Sequence, residues 1–215
     1  MKLNKRDLIS IIQNTETYNN PKIEFEQYCI NATCAVDLIY YAGFENDDIN
    51  NALVIDLGSG TGRLSIASAF LNANYVLSVD IDFDAIKILK RNVNSLELDQ
   101  IVFPICSDIG HFEISKKWLT NDIRITTIMN PPFGVQTQNA DRIFLKQAFS
   151  FSNVVYSIHL GSLKVREFIS NYVRKYKWKI DNILPFNMIL ENTYLFHTQK
   201  RKKINVDVYR FIKEV

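Results

Sequence analysis

No uninterrupted apolar run of about 18 residues occurs in this chain of 215, so no membrane span is expected. Cysteine is scarce. Cys29, Cys34 and Cys106 form an odd set with neither Cys-x-x-Cys nor Cys/His spacing. That pattern excludes a zinc or disulfide framework and predicts three core thiols in a reducing cytoplasm, with no metal site. The opening residues, MKLNKRDLISIIQNTETYNN, hold one short apolar patch broken by polar side chains. No small-residue cleavage site follows it, so it does not read as a signal peptide. Charge of one sign is also missing overall: the net is +2. It is uneven, however. Residues 161–215 carry 12 Lys/Arg against 5 Asp/Glu, a net +7, which leaves −5 for residues 1–160. A polyanion touching the C-terminal third is one reading of that asymmetry, and a solvated charged face is the other.

Short apolar runs at 52–58, 75–82, 101–108, 124–130 and 154–160 alternate with helix-length stretches such as 62–72 and 84–94. Strands in such an order form a parallel sheet with helices on both faces, and unbroken apolar strands suit burial on both sides. A helix at 162–176 is followed by WKIDNILPF and NVDVYRFIKEV, which read as a final antiparallel pair joined by the basic turn HTQKRKKI. Helices at 5–14 and 31–42 precede the sheet. The expectation is one domain over residues 1–215, with 1–45 as an N-terminal helical cap and 52–215 as the sheet core.

VIDLGSGTGRLS places Gly58, Gly60 and Gly62 between the first strand and the first helix of the sheet. Glycine lets a backbone turn tightly and approach a ligand, and ligands of open α/β sheets sit at the carboxyl ends of the strands. The spacing is GxGxG, and no GK[ST] follows, which excludes a Walker phosphate cradle and disfavours a dinucleotide. Asp56, Asp80 and Asp108 tip three successive strands. Asp80 can accept from both hydroxyls of a ribose, and Asp108 stands within reach of an adenine amino group. Acids in this arrangement suit a cationic adenosyl ligand, S-adenosylmethionine, better than a phosphorylated one. TTIMNPPFGV (126–135) then ends a buried strand in Asn130-Pro131-Pro132-Phe133. The two prolines could simply stop the strand. They could also hold two hydrogen-bond acceptors rigidly beside an aromatic face.

With DLGSGTG, VDID and NPPFG in this order, the chain resembles class I S-adenosylmethionine-dependent methyltransferases that modify exocyclic amino groups. FEQYCINATCAVDLIYYA, IMNPPFGVQTQNADRIFLKQA, VYSIH and VDVYRF are similar to the methyltransferase-like protein 5 family and its archaeal relatives, from about residue 24 to the C-terminus. The resemblance implies an α/β, Rossmann-like fold: a seven-stranded, mostly parallel sheet with an antiparallel C-terminal strand pair. It implies N6-methylation of adenosine in RNA, most of all small-subunit ribosomal RNA. It also implies that Gln27 and the turn after it cover the cofactor, that Gly58, Gly60 and Thr61 hug it, that Asp80 with Ile81 holds the ribose side, and that Asp108 holds the adenine. The family continues Glu-Gln-Tyr with Pro-Thr, whereas Cys29-Ile30 stands here, so Asn31 or Thr33 is expected to replace the lost hydroxyl.

An adenine amino group is a poor nucleophile because its lone pair is delocalised into the ring. The Asn130 side-chain oxygen and the Pro131 carbonyl can accept its two N–H bonds, Pro131 and Pro132 fix the acceptors in place, and Phe133 can stack on the base. GVQTQNADR (134–142) reads either as a flap over the target nucleotide or as an ordinary surface loop. His159 reads first as a satisfied strand-end histidine and second as a group facing the acceptor site. Lys200, Arg201, Lys202 and Lys203 are the expected RNA phosphate contacts. Strand 101–106, the edge strand in the usual order of this fold, is where eukaryotic relatives suggest a small zinc-binding activator protein. The competing readings are a glutamine-N5 or guanine-N2 methyltransferase and a non-catalytic protein that binds cofactor and RNA.

Overall fold

The computed structural model describes residues 4–115, 123–134, 140–191 and 201–214. The strands are β1 (Leu53–Leu57), β2 (Tyr75–Asp80), β3 (Val102–Cys106), β4 (Ile125–Met129), β5 (Val154–Leu160), β6 (Trp178–Glu191) and β7 (Arg201–Lys213). They form one sheet in the order β3-β2-β1-β4-β5-β7-β6, parallel from β3 through β5, with β7 antiparallel to both β5 and β6. The expected fold class holds. The chain moves outward from β1 to β2 and β3, then returns to the other side of β1 with β4. That reversal opens a crevice at the carboxyl ends of β1 and β4, where ligands of such sheets bind.

The helices are α1 (Lys5–Gln13), α2 (Ala32–Tyr40), α3 (Arg63–Phe70), α4 (Phe83–Ser95), α5 (Ala140–Phe151) and α6 (Leu163–Arg174). Two buried apolar clusters lie on opposite faces of the sheet. One joins Val54, Val76 and Ile128 to Leu8 and Ile12 of α1, Leu38 of α2 and Ile66 of α3. The other joins Leu53, Ile55, Leu57 and Met129 to Leu145 and Phe149 of α5 and to Ile169 of α6. Alternate residues of β1 thus serve opposite cores, which is why Leu53, Val54 and Ile55 are apolar without a break. Burying each such side chain stabilises the fold by about 1.5–3 kcal/mol.

Ion pairs tie the antiparallel edge to this frame. Asp48 accepts from Tyr156 (2.6 Å) and from Arg210 (2.9 Å), whose other arm reaches Asp181 (2.7 Å). Arg166 of α6 holds the buried Asp207 of β7 through two bonds of 2.7 and 2.8 Å.

Three expectations need correction. The final strands are longer than the hydrophobic pattern implies: the ladder runs out to Glu191 opposite Arg201, so Arg201, Lys202 and Lys203 open β7 rather than lie in a turn. Backbone pairing does not need apolar side chains, which is why periodicity missed these residues. Lys200 lies outside the described residues. In GVQTQNADR, residues 135–139 lie outside them too, while Ala140, Asp141 and Arg142 are the first turn of α5. Finally, only Cys34 is buried. Cys29 is half-buried and Cys106 is exposed, because it ends the edge strand β3. Among the described residues, no helix is long and apolar enough to cross a membrane.

Candidate active site

The loop after β1 turns back under its neighbour. Gly58 and Ser59 donate their amides to the Val79 carbonyl of β2 (2.8 and 3.0 Å), and Gly60 donates to Asp80 Oδ2 (2.8 Å). Gly60 has φ +54°, and a Cβ there would meet the Tyr18 hydroxyl at 2.3 Å. Gly62, at φ +96°, leads directly into α3. Any side chain at Gly60 would therefore both strain the backbone and displace Tyr18.

A cleft opens beyond this loop. Gly58, Gly60, Thr61, Asp80, Ile81 and Gln27 all line it, as do Asn130 and Pro132 on its β4 side. Asp80 Oδ1 also accepts from the Asp82 amide (2.9 Å), so each of its oxygens holds one backbone N–H. An ionised carboxylate has about four acceptor sites, which leaves capacity for two hydroxyls. Burial raises the Asp80 pKa. Gln27 is tethered over the cleft from two sides: Nε2 donates to Asp82 Oδ2 (2.6 Å), and Oε1 accepts from the Lys22 amide (2.8 Å). Thr61 Oγ1 lies 3.4 Å from Cys29 Sγ.

Not every expected residue arrives here. Asp108 does not line the cleft. Its side chain is 54% exposed and caps a turn of 3-10 helix at Ile109–His111, accepting from the Gly110 amide (2.8 Å), while Ile109 faces the cleft instead. Asp56 lines the cleft but is no strand tip. It lies inside β1, where Oδ2 accepts from Ser65 (2.6 Å) and burial pushes its pKa up to about 7. Thr33 is exposed, and Asn31 accepts from the Ile189 amide (3.3 Å); neither lines the cleft. His159 is buried at 3% exposure, with Nε2 2.7 Å from Ser157 Oγ and its pKa pushed down to about 3 by burial, as a satisfied strand-end histidine should be.

Asn130 leaves β4 with its side chain pointing inward. Pro131 is buried behind it, and Phe133 is half-buried rather than exposed. The Phe133 amide donates to Glu26 Oε2 (2.7 Å), and its ring stacks on Tyr28 with centroids 5.3 Å apart and planes 26° from parallel. That spacing admits no third ring between them. A base that stacks on Phe133 must take its other face or displace Tyr28. Glu26 holds a left-handed backbone (φ +49°) while making this bond, so the 22–28 segment clasps the tetrapeptide as well as the cleft.

Sequence reasoning missed Glu26, Asp82, Tyr18 and Arg63. Glu26 and Phe133 are 107 positions apart, and no local pattern joins them.

Four polar atoms on cleft residues are buried without a hydrogen-bond partner: Asp56 Oδ1, Ser59 Oγ, Arg63 Nε and Asn130 Oδ1. Buried polar atoms are almost always paired, since leaving one unpaired costs about 1–3 kcal/mol. Their convergence on one cleft marks it as built for a polar ligand with both donors and acceptors, which S-adenosylmethionine is.

A central strand leading into a glycine turn, an acid ending the next strand, and β7 inserted antiparallel beside β5 are the build of class I S-adenosylmethionine-dependent methyltransferases. The family model of ribosomal protein L11 methyltransferase (PrmA) matches residues 38–129. The rRNA N(6)-adenosine-methyltransferase METTL5 of Danio rerio is 38% identical over 211 residues, 96% of this chain and 97% of its own. An uncharacterized protein of Methanocaldococcus jannaschii is 34% identical over 217 residues, covering 98% and 95%. The crystal structure of a Pyrococcus horikoshii protein, provisionally assigned as an RNA methyltransferase, matches with a TM-score of 0.87 at 34% identity over 100% of both chains. This chain belongs to the METTL5 family of rRNA N(6)-adenosine-methyltransferases.

Proposed function

We propose that this protein methylates N6 of an adenosine in ribosomal RNA, that of the small subunit, with Asn130 and the Pro131 carbonyl receiving the target amino group. The observation that carries the reading is the buried, unpartnered Asn130 Oδ1 on the wall of the cleft. Bound S-adenosylmethionine supplies an electrophilic methyl group on a sulfonium. The chain supplies position. Gly58, Gly60 and Thr61 give the cofactor a close backbone, Asp80 accepts from its ribose, Ile81 and Ile109 offer apolar walls to the adenine, and Gln27 closes over it. Asp108, turned away as a cap, reaches the adenine only if its carboxylate swings in.

At the acceptor end, the two oxygens accept the N–H bonds of the amino group. They aim its lone pair and stabilise the positive charge that develops on nitrogen. Pro131 and Pro132 lock the acceptors, while Glu26 positions Phe133. Holding nucleophile and electrophile in line can account for up to about 7–11 kcal/mol of barrier reduction. No general base is required, because the methylated ammonium is acidic enough to give its proton to water. A base must leave its stack to reach the cleft, which favours a loop or junction as the target.

A protein acceptor is the second reading, because the L11 methyltransferase match covers residues 38–129. That match ends at the last residue of β4, one position before Asn130, so it spans the cofactor half and not the acceptor tetrapeptide. Incubation with labelled cofactor and ribosomal subunits, followed by separation of RNA from protein, decides between them. Label in RNA as N6-methyladenosine is expected; label in protein alone contradicts the proposal.

We propose that residues 1–215 work as one domain in the cytoplasm and that Lys200, Arg201, Lys202 and Lys203 contact RNA phosphates. Replacing these four with Gln should lower the salt slope of RNA binding by about 0.7–0.9 per lost contact, with cofactor affinity unchanged. An unchanged slope would mean they are merely solvated. The edge strand β3 is proposed to pair with a small zinc-binding activator protein. Among the described residues no strand pairs with its outer edge, and the Tyr75 and Phe103 rings beside it stand 6.0 Å apart, each 39% exposed. Open apolar edges invite pairing. Full activity and stability of the isolated chain would refute that dependence.

A further inference from the structure

We propose that Arg63 anchors the carboxylate at the methionine end of the cofactor, replacing the hydroxyl that Ile30 cannot supply; the inference rests on the cofactor reading above. Arg63 is the first residue of α3, directly after the glycine loop, and lines the same cleft as Cys29, Ile30 and Thr61. It is 4% exposed. Nη1 donates to the Ile30 carbonyl (2.8 Å), while Nε is buried with no partner. Among the described residues Arg63 takes part in no ion pair within 4.0 Å, whereas Arg91, Arg166 and Arg210 each hold a carboxylate.

Three costs therefore converge on one side chain. A buried guanidinium without an anion is strongly unfavourable, as is any buried ion pair that has lost one partner. A cation at a helix N-terminus also opposes the macrodipole, which favours negative charge there. The orphaned Nε adds an unsatisfied donor. One carboxylate at this point would answer all three. The guanidinium fork matches that geometry, and its grip on the Ile30 carbonyl fixes its orientation. The candidate anion is of the right kind, because S-adenosylmethionine carries a single carboxylate and no phosphate. Position agrees as well. Asp80, Ile81 and Ile109 lie toward the β2–β3 side of the cleft, and Arg63 lies toward β1 with Asn130 across the switch, which sets the methionine end near the helix and the methyl group near the acceptor oxygen.

The test is calorimetric binding of S-adenosylmethionine and of its decarboxylated form, which keeps the sulfonium and the amine. The parent should prefer the carboxylate-bearing ligand by at least about tenfold. Arg63→Met should lose roughly 10- to 100-fold on S-adenosylmethionine and less than about twofold on the decarboxylated ligand, with Arg63→Lys in between. Equal losses on both ligands, or none on either, would overturn the proposal. If Arg63→Met does not fold, the parent still decides: equal affinity for the two ligands contradicts a carboxylate anchor. Parent protein that binds neither ligand would instead sink the cofactor assignment itself.

Discussion

Asn130→Ala is expected to yield a folded protein that binds S-adenosylmethionine as the parent does and methylates ribosomal RNA about 100- to 1000-fold more slowly. That is the usual cost of losing one preorganised acceptor at a developing charge. The side chain has little else to do. Its Oδ1 holds no bond, so truncation breaks no hydrogen bond at that atom and removes an unsatisfied buried acceptor, and thermal stability should hold or rise slightly. A strand-end cap would behave in the opposite way, losing about 0.5–2 kcal/mol of stability and no activity. Phe133→Ala is a less pointed variant, because the ring also stacks on Tyr28 and its loss loosens the 22–28 segment.

Asp80→Ala should abolish useful cofactor binding. Two charge-assisted ribose contacts, each about 1.5–3 kcal/mol, correspond to at least a 100-fold loss of affinity. Damage goes further, because Asp80 also receives the Gly60 and Asp82 amides and so shapes the loop that meets the cofactor. Asp80→Asn is the sharper variant. It keeps the size of the side chain but exchanges one acceptor oxygen for a donor, so either the Gly60 or the Asp82 amide is left unpaired. Titration calorimetry of both variants checks the assignment, and unchanged affinity in either one refutes it.

The parts of this molecule that sequence made legible are those where a local pattern carries a local physical need. Three glycines in five residues had to be a turn, and their positive φ angles show why no other residue serves. Asp80 was readable because a strand ended on it. The alternation of strand and helix gave the sheet, and the resemblance gave its order. What stayed hidden depends on long-range contact. Glu26 and Phe133 find one another only once the N-terminal segment folds over β4. Arg63 reads as one more polar residue at the start of a helix until its burial and missing partner are seen. Asp108 shows the converse: an acid after a strand is as good a cap as a ligand, and in this structure it caps the Ile109–His111 turn. The length of β6 and β7 was underestimated because Arg201–Lys203 pair through backbone, which charge does not prevent.

The most direct test of the account is single-turnover transfer of labelled methyl from S-adenosylmethionine to ribosomal RNA by the parent and by Asn130→Ala, with the RNA digested to nucleosides. Label in N6-methyladenosine is expected for the parent, with a rate about 100- to 1000-fold lower for the variant at saturating cofactor. Label in another nucleoside, or a variant that transfers nearly as fast as the parent, would contradict it.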